Sequence, residues 1–118
     1  MTADLVVIED DSHTTVMLSG ELDRAACPAV QRRLRELPHG PLVLDFSGVS
    51  FIDVDGLRMV HECAREGASL ALVGASPFTA RLFRILGLDK LVPLCRSTEE
   101  ALWCLLPPTD DEIRDWLS

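Results

Sequence analysis

The stretch PLVLDFSGVSFIDVDGLR, residues 41–58, decides how this chain folds. Its opening, PLVLDF (41–46), is a nearly continuous apolar run of the kind expected of a strand covered on both faces, and FID follows it closely. From Gly56 the apolar period becomes helical, with Leu57, Val60 and Ala64 on one face. A buried strand that runs into a helix belongs at the centre of a sheet with crossover connections. At that junction the chain places two carboxylates, Asp53 and Asp55, two positions apart.

Upstream, LVVIE (5–9) and TTVMLSG (14–20) are rich in β-branched residues, and Asp10, Asp11 and Ser12 between them suit a turn, so the pair reads as an antiparallel hairpin. After GELD (20–23), Cys27, Val30, Leu34 and Leu37 recur at helical spacing. Pro28 fits only in a first turn, so this helix starts at 25–27 and ends before Pro38. Downstream, SLALVG (69–74) is the next buried strand. Ser76 and Pro77 form an N-cap and N1 proline, and the helix they open has Phe78, Leu82, Ile85 and Leu86 as its expected core face and Gly87 as its stop. A short strand is expected near 91–94, and the capping box from Ser97 to Glu100 opens a last helix. The order β-β-α-β-α-β-α-β-α predicts one α/β domain: a mixed β-sheet with an antiparallel N-terminal hairpin and right-handed crossover helices.

A chain of 118 residues is long enough to bury a core without metal or disulfide support. Eleven basic against nineteen acidic residues give a net charge of −8, which argues against nucleic acid and anionic lipid as partners. No apolar run approaches the roughly 20 residues that span a bilayer, and the start MTADLVVIEDD lacks the basic segment and cleavage site of a signal peptide, so a cytoplasmic location without membrane insertion is expected. Cys27, Cys63, Cys95 and Cys104 form no C-x-x-C pair and have no His at ligand spacing, which points to small buried thiols and not to a metal site. His61 flanks the core stripe without a Ser or Cys nucleophile placed near it and reads as structural; His13 and His39 lie in turns.

A strand ending in D-x-D-G invites comparison with phosphatases in which the first Asp attacks phosphorus, yet Leu57 stands where that motif carries Thr or Val and the remaining chain hardly supplies the other catalytic parts. A calcium loop fails because Gly56 comes too early and no Glu occupies the twelfth position. One carboxylate is explained as a helix N-cap, which is worth about 0.5 to 2 kcal/mol. The second then needs another reason.

Three matches in order supply one. GELD (20–23), LDFSGVSFID (44–53) followed by Gly56 and Leu57, and LGLDKLVPL (86–94) resemble the STAS domain of anti-sigma factor antagonists across roughly residues 5 to 106. In that family the segment after FID reads Ser-Ser-Gly-Leu or similar, and the serine before the glycine is phosphorylated by the partner anti-sigma factor, a serine kinase. Here that switch position is Asp55, preceded by Val54. The resemblance implies that Asp53 is the family's acidic cap and that Asp55 is a weak, permanent version of the phosphorylated state, with one charge where phosphoserine carries about −1.5 to −2.

A helical wheel puts Asp55, Met59 and Glu62 away from Leu57, Val60 and Ala64, so the expected partner-binding set is Asp53, Asp55, Gly56, Met59 and Glu62. Met59 has the competing reading of core packing against a neighbouring helix. The expected partner is an anti-sigma factor or a related kinase-like protein, bound by a non-enzymatic module that is a monomer or weak dimer. The alternative is a STAS-like scaffold subunit of a lipid-transport ATPase or other signalling assembly, where no serine switch is required. No cofactor is expected: there is no Walker-type glycine loop, and Asp55 opposes a phosphate at that helix start. Residues 1–106 form the expected domain and 107–118 an acidic tail, whose charge of −3 leaves −5 on the body. Ile113, Trp116 and Leu117 form one apolar stripe on that tail, expected to dock on its own domain.

Overall fold

Strand β1 (Ala3–Glu9) pairs antiparallel with β2 (Thr14–Leu22), closed by a hydrogen bond of 2.9 Å from the Asp10 N–H to the His13 carbonyl. Every later pairing is parallel: β2 with β3 (Pro41–Ile52), β3 with β4 (Ser69–Val73), and β4 with β5 (Leu94–Cys95). The five strands therefore lie in sequence order in one mixed sheet. Helices α1 (Cys27–Arg35), α2 (Val54–Arg65) and α3 (Pro77–Leu86) make the crossovers, and α4 (Thr98–Leu105) and α5 (Asp110–Leu117) follow β5. The computed structural model describes residues 3–118, so the start of the expected domain, Met1 and Thr2, lies outside the described residues.

Alternation along the central strands assigns the two sheet faces. Leu42, Leu44, Leu70 and Leu72 point into the larger cluster, with Val30 and Leu34 of α1, Leu57 and Val60 of α2 and Phe83 of α3. Val43, Ala71 and Val73 point the other way with Cys95 of β5, where Ala101, Leu102 and Leu105 of α4 pack on them. One face thus carries three helices and the opposite face carries one. Toward β1 and β2 that second face stays open, leaving Val6, Ile8 and Met17 exposed.

Strand β3 runs unbroken for 12 residues through the stretch that the sequence divides into PLVLDF and FID. It does so with two register shifts against β2. Gly48 sits at one of them, where a Cβ would lie 2.9 Å from that of Ser19, so the strands approach too closely there for a larger residue.

Three local expectations are corrected. The core face of α3 is Thr79 and Phe83, while Phe78, Ile85 and Leu86 are exposed and Leu82 is half-buried. The Ser76 cap fixes this rotation: its oxygen accepts the Thr79 N–H at 3.1 Å and its hydroxyl bonds the Thr79 side chain at 3.1 Å, and Phe83 lies one turn further on the same face. The strand expected near 91–94 is a 3₁₀ turn at Leu88–Lys90, then a two-residue strand at Leu94–Cys95, with Val92 buried between them. The tail forms its own helix, capped by a reciprocal box between Thr109 and Glu112, but its stripe is not docked. Ile113, Trp116 and Leu117 are all exposed, Trp116 at 85%.

Candidate functional site

Asp53 is the N-cap of α2, in extended conformation with φ −107°. Its Oδ1 accepts the backbone N–H groups of Asp55 at 2.9 Å and Gly56 at 3.1 Å. Its Oδ2 accepts the N–H of Arg24 at 3.1 Å, from the loop between β2 and α1. That loop has its own acidic brace: Asp23 Oδ1 accepts the Ala26 N–H at 2.9 Å. The two aspartates that end GELD and FID thus fasten two neighbouring loops at the C-terminal end of the parallel strands, where α/β sheets hold their binding sites.

Gly56 explains how close this junction is. A Cβ there would lie 2.6 Å from the Leu22 carbonyl oxygen and 2.6 Å from Ile52 Cγ1, so only glycine lets α2 start directly on the ends of β2 and β3. Gly56, expected in the contact set, is buried, and its role in the fold is close packing. Met59 takes the competing reading, core packing against a neighbouring helix, and not the contact reading. It is 2% exposed, because α1 packs beside α2 and encloses the side that the wheel left outside. The buried stripe of α2 is Leu57, Met59, Val60 and Cys63, with Ala64 only half-buried.

Asp55 remains partly open to solvent, its side chain 32% exposed, and forms an ion pair of 3.2 Å with Arg58, one turn along α2. The two stand beside Arg24, Pro28, Gln31 and Glu62 around a shallow groove of about 270 Å³ between α1 and α2, floored by Cys27 and Met59. Gln31 crosses the groove's far end to donate to Glu62 at 3.0 Å. Burial, with the nearby Asp53 and Asp55 charges adding to it, pushes the Cys27 thiol up to about 11, so it stays a neutral part of the floor.

Two exposed apolar side chains flank the Asp53 cap in sequence: Val54, the first residue of α2, and Phe51, two residues before the cap. Neither they nor Arg24 and Arg58 belong to the set expected from sequence. The Asp55 to Arg58 spacing was visible as an i, i+3 pair; the position of Arg24 depends on tertiary packing and was not. Of the expected set, Asp55 and Glu62 line the groove, and Asp53 caps the helix at its entrance end.

Residues 6–93 match the family model described as "Mlab, STAS domain". That is more than half of the chain, and the chain belongs to the STAS family. No curated protein sequence matches. Among solved structures, an anti-sigma factor antagonist from Mycobacterium paratuberculosis is 27% identical with a TM-score of 0.75, over 88% of this chain and 94% of that one. The anti-sigma factor antagonist SpoIIAA in its unphosphorylated form is 20% identical with a TM-score of 0.71, over 91% of this chain and all of the other. The murine anion transporter Slc26a9 is 16% identical with a TM-score of 0.66; the match covers 86% of this chain and 21% of the transporter. These last two share the fold. Among the described residues no helix is long and apolar enough to cross a membrane.

Proposed function

We propose that this STAS domain is a non-enzymatic, cytoplasmic regulatory module that binds an anti-sigma factor or a related serine-kinase-like protein through the α2 N-terminus. The observation that carries the reading is the partition of the two aspartates. Asp53 is committed to three backbone N–H groups, whereas Asp55, at the family's switch position, is solvent-accessible and holds only Arg58. A side chain whose only bond is an exposed ion pair remains available to a partner.

Asp55 offers no hydroxyl for phosphorylation, and its charge is partly matched by Arg58. As a fixed charge it makes a partner built for an unphosphorylated serine bind weakly, since covering unmatched charge is costly. Calorimetric titration of the cognate partner against wild type, Asp55→Ser and Asp55→Asn tests this. Tighter binding by both variants, with Asp55→Ser regaining a phosphate acceptor, is the expected result. A loss of roughly 2 kcal/mol or more in both variants means instead that the partner supplies a base opposite Asp55 and uses it as an anchor.

The second reading, a scaffold subunit of a lipid-transport ATPase or other assembly, is favoured by the missing serine, because a constitutive contact needs no phosphate acceptor. Co-purification from the native cell with a transport ATPase, unaffected by Asp55→Ser, decides for it.

A further inference from the structure

The misjudged face of α3 has a chemistry of its own. Phe78 and Ile85 lie on one exposed stripe with half-buried Leu82, continued by exposed Leu86 and Leu91. Arg81 and Arg84 border it along the helix, and Lys90 stands next to Leu91, against a single half-buried acid, Asp89. An apolar stripe edged by cations on a chain of net charge −8 calls for an acidic apolar partner, and the chain carries such a segment itself. That segment is α5, where Ile113, Trp116 and Leu117 form an exposed stripe among Asp110, Asp111, Glu112 and Asp115.

We propose that α5 of one copy docks on the α3 face of a second copy, the two tails being exchanged reciprocally. Apolar stripe meets apolar stripe, Trp116 is the anchor, and the tail's acids face Arg81, Arg84 and Lys90. The contact is between copies because of the layering. Helix α4 packs on the face of Val43, Ala71 and Val73, and α3 on the opposite face. Residues 106–109 extend at most about 14 Å. Carrying α5 round the sheet edge to the other layer takes more, since layers stack about 10 Å to either side of the sheet. The uncovered strip of Val6, Ile8 and Met17 is the wrong sign for this tail: Met17 pairs with Asp45 in the adjacent strand, and Asp4 lies two residues before Val6. A single helix about 12 Å long covers too little for a stable interface of about 1,200 Å², and reciprocal exchange doubles the contact.

The test is sedimentation velocity of the full chain over a concentration series, with Trp116→Ala/Leu117→Ala as tail variant and Arg81→Glu/Arg84→Glu as face variant. All four positions are exposed, and circular dichroism verifies that both variants fold. Expected are a wild-type dimer weakened by a tenfold rise in salt, at least about tenfold weaker dimerisation in each variant, and, on mixing the two, a heterodimer tighter than either variant alone but weaker than the wild type, since one of the two contacts remains. A wild type still monomeric near 1 mM overturns the proposal, as does dimerisation unchanged in either variant. So does a blue-shifted Trp116 emission, read in a Trp103→Phe background, that is independent of concentration, for the tail then lies on its own domain.

Discussion

At the scale of single residues, Asp53 and Asp55 look alike in sequence and do different work. Removing the Asp53 carboxylate frees two N–H groups of α2 and one of the preceding loop, so Asp53→Ala is expected to lower stability by about 1 to 2 kcal/mol, as other N-cap losses do. Asp55→Ala breaks only an exposed i, i+3 pair and is expected to cost no more than about 0.5 kcal/mol. Gly56→Ala pushes a methyl against a backbone carbonyl that cannot turn aside, and a loss of about 1 to 3 kcal/mol is expected. Urea titration of the three variants checks the ranking; an Asp55→Ala loss equal to that of Asp53→Ala removes the argument that Asp55 is free for a partner. The cap was legible in sequence because a carboxylate before a helix has a local reason. Gly56 was not, because its reason is Leu22, far away in the chain.

At the scale of elements, α3 shows where periodicity misleads. Two stripes at helical spacing coexist in PFTARLFRIL, and the more apolar one, with Phe78 and Ile85, is outside. Hydrophobicity alone selects the wrong face; the cap at Ser76 and the single fully buried Phe83 select the right one. Phe83→Ala is therefore expected to cost about 3 to 5 kcal/mol and Ile85→Ser less than about 0.5 kcal/mol, measured by chemical denaturation. The hairpin, α1 and β4 were readable because each has one apolar pattern and no rival. Met59 was misplaced for a related reason: a wheel shows which residues share a face but not how many neighbours that helix has. Helix α5, with no buried residue, belongs to no core. Ending the chain after Leu106 is expected to lower the melting midpoint of the dilute protein by less than about 5 °C in a thermal scan.

At the scale of the whole molecule, the buried thiols make stability sensitive to alkali. The unfolded Cys27 and Cys95 thiols ionise near 9.0, while burial, assisted for Cys27 by Asp53 and for Cys95 by Cys104, holds both protons up to about 11 in the folded chain. Between those values the unfolded chain binds fewer protons, so stability is full below pH 9 and falls as pH rises toward 11. Denaturation midpoints taken across that window should decline, and a flat profile there refutes the assignment. Of the four thiols only Cys104 is exposed, so one thiol per chain is expected to react promptly with a disulfide reagent at pH 8. The sheet has a further consequence for how the protein is handled. Its β5 margin is only two residues long, but the β1 margin presents seven, with Val6 and Ile8 open on one side. Among the described residues no strand pairs with its outer side, and the acids Asp4, Glu9, Asp10 and Asp11 along it oppose the approach of a like-charged chain. Near the isoelectric point of about 4.7 the net charge of the chain falls to zero, and the repulsion between molecules goes with it. Mild acid thus unlocks a sticky margin in molecules that are still folded, and turbidity with a cross-β diffraction spacing should develop there well before the core itself gives way.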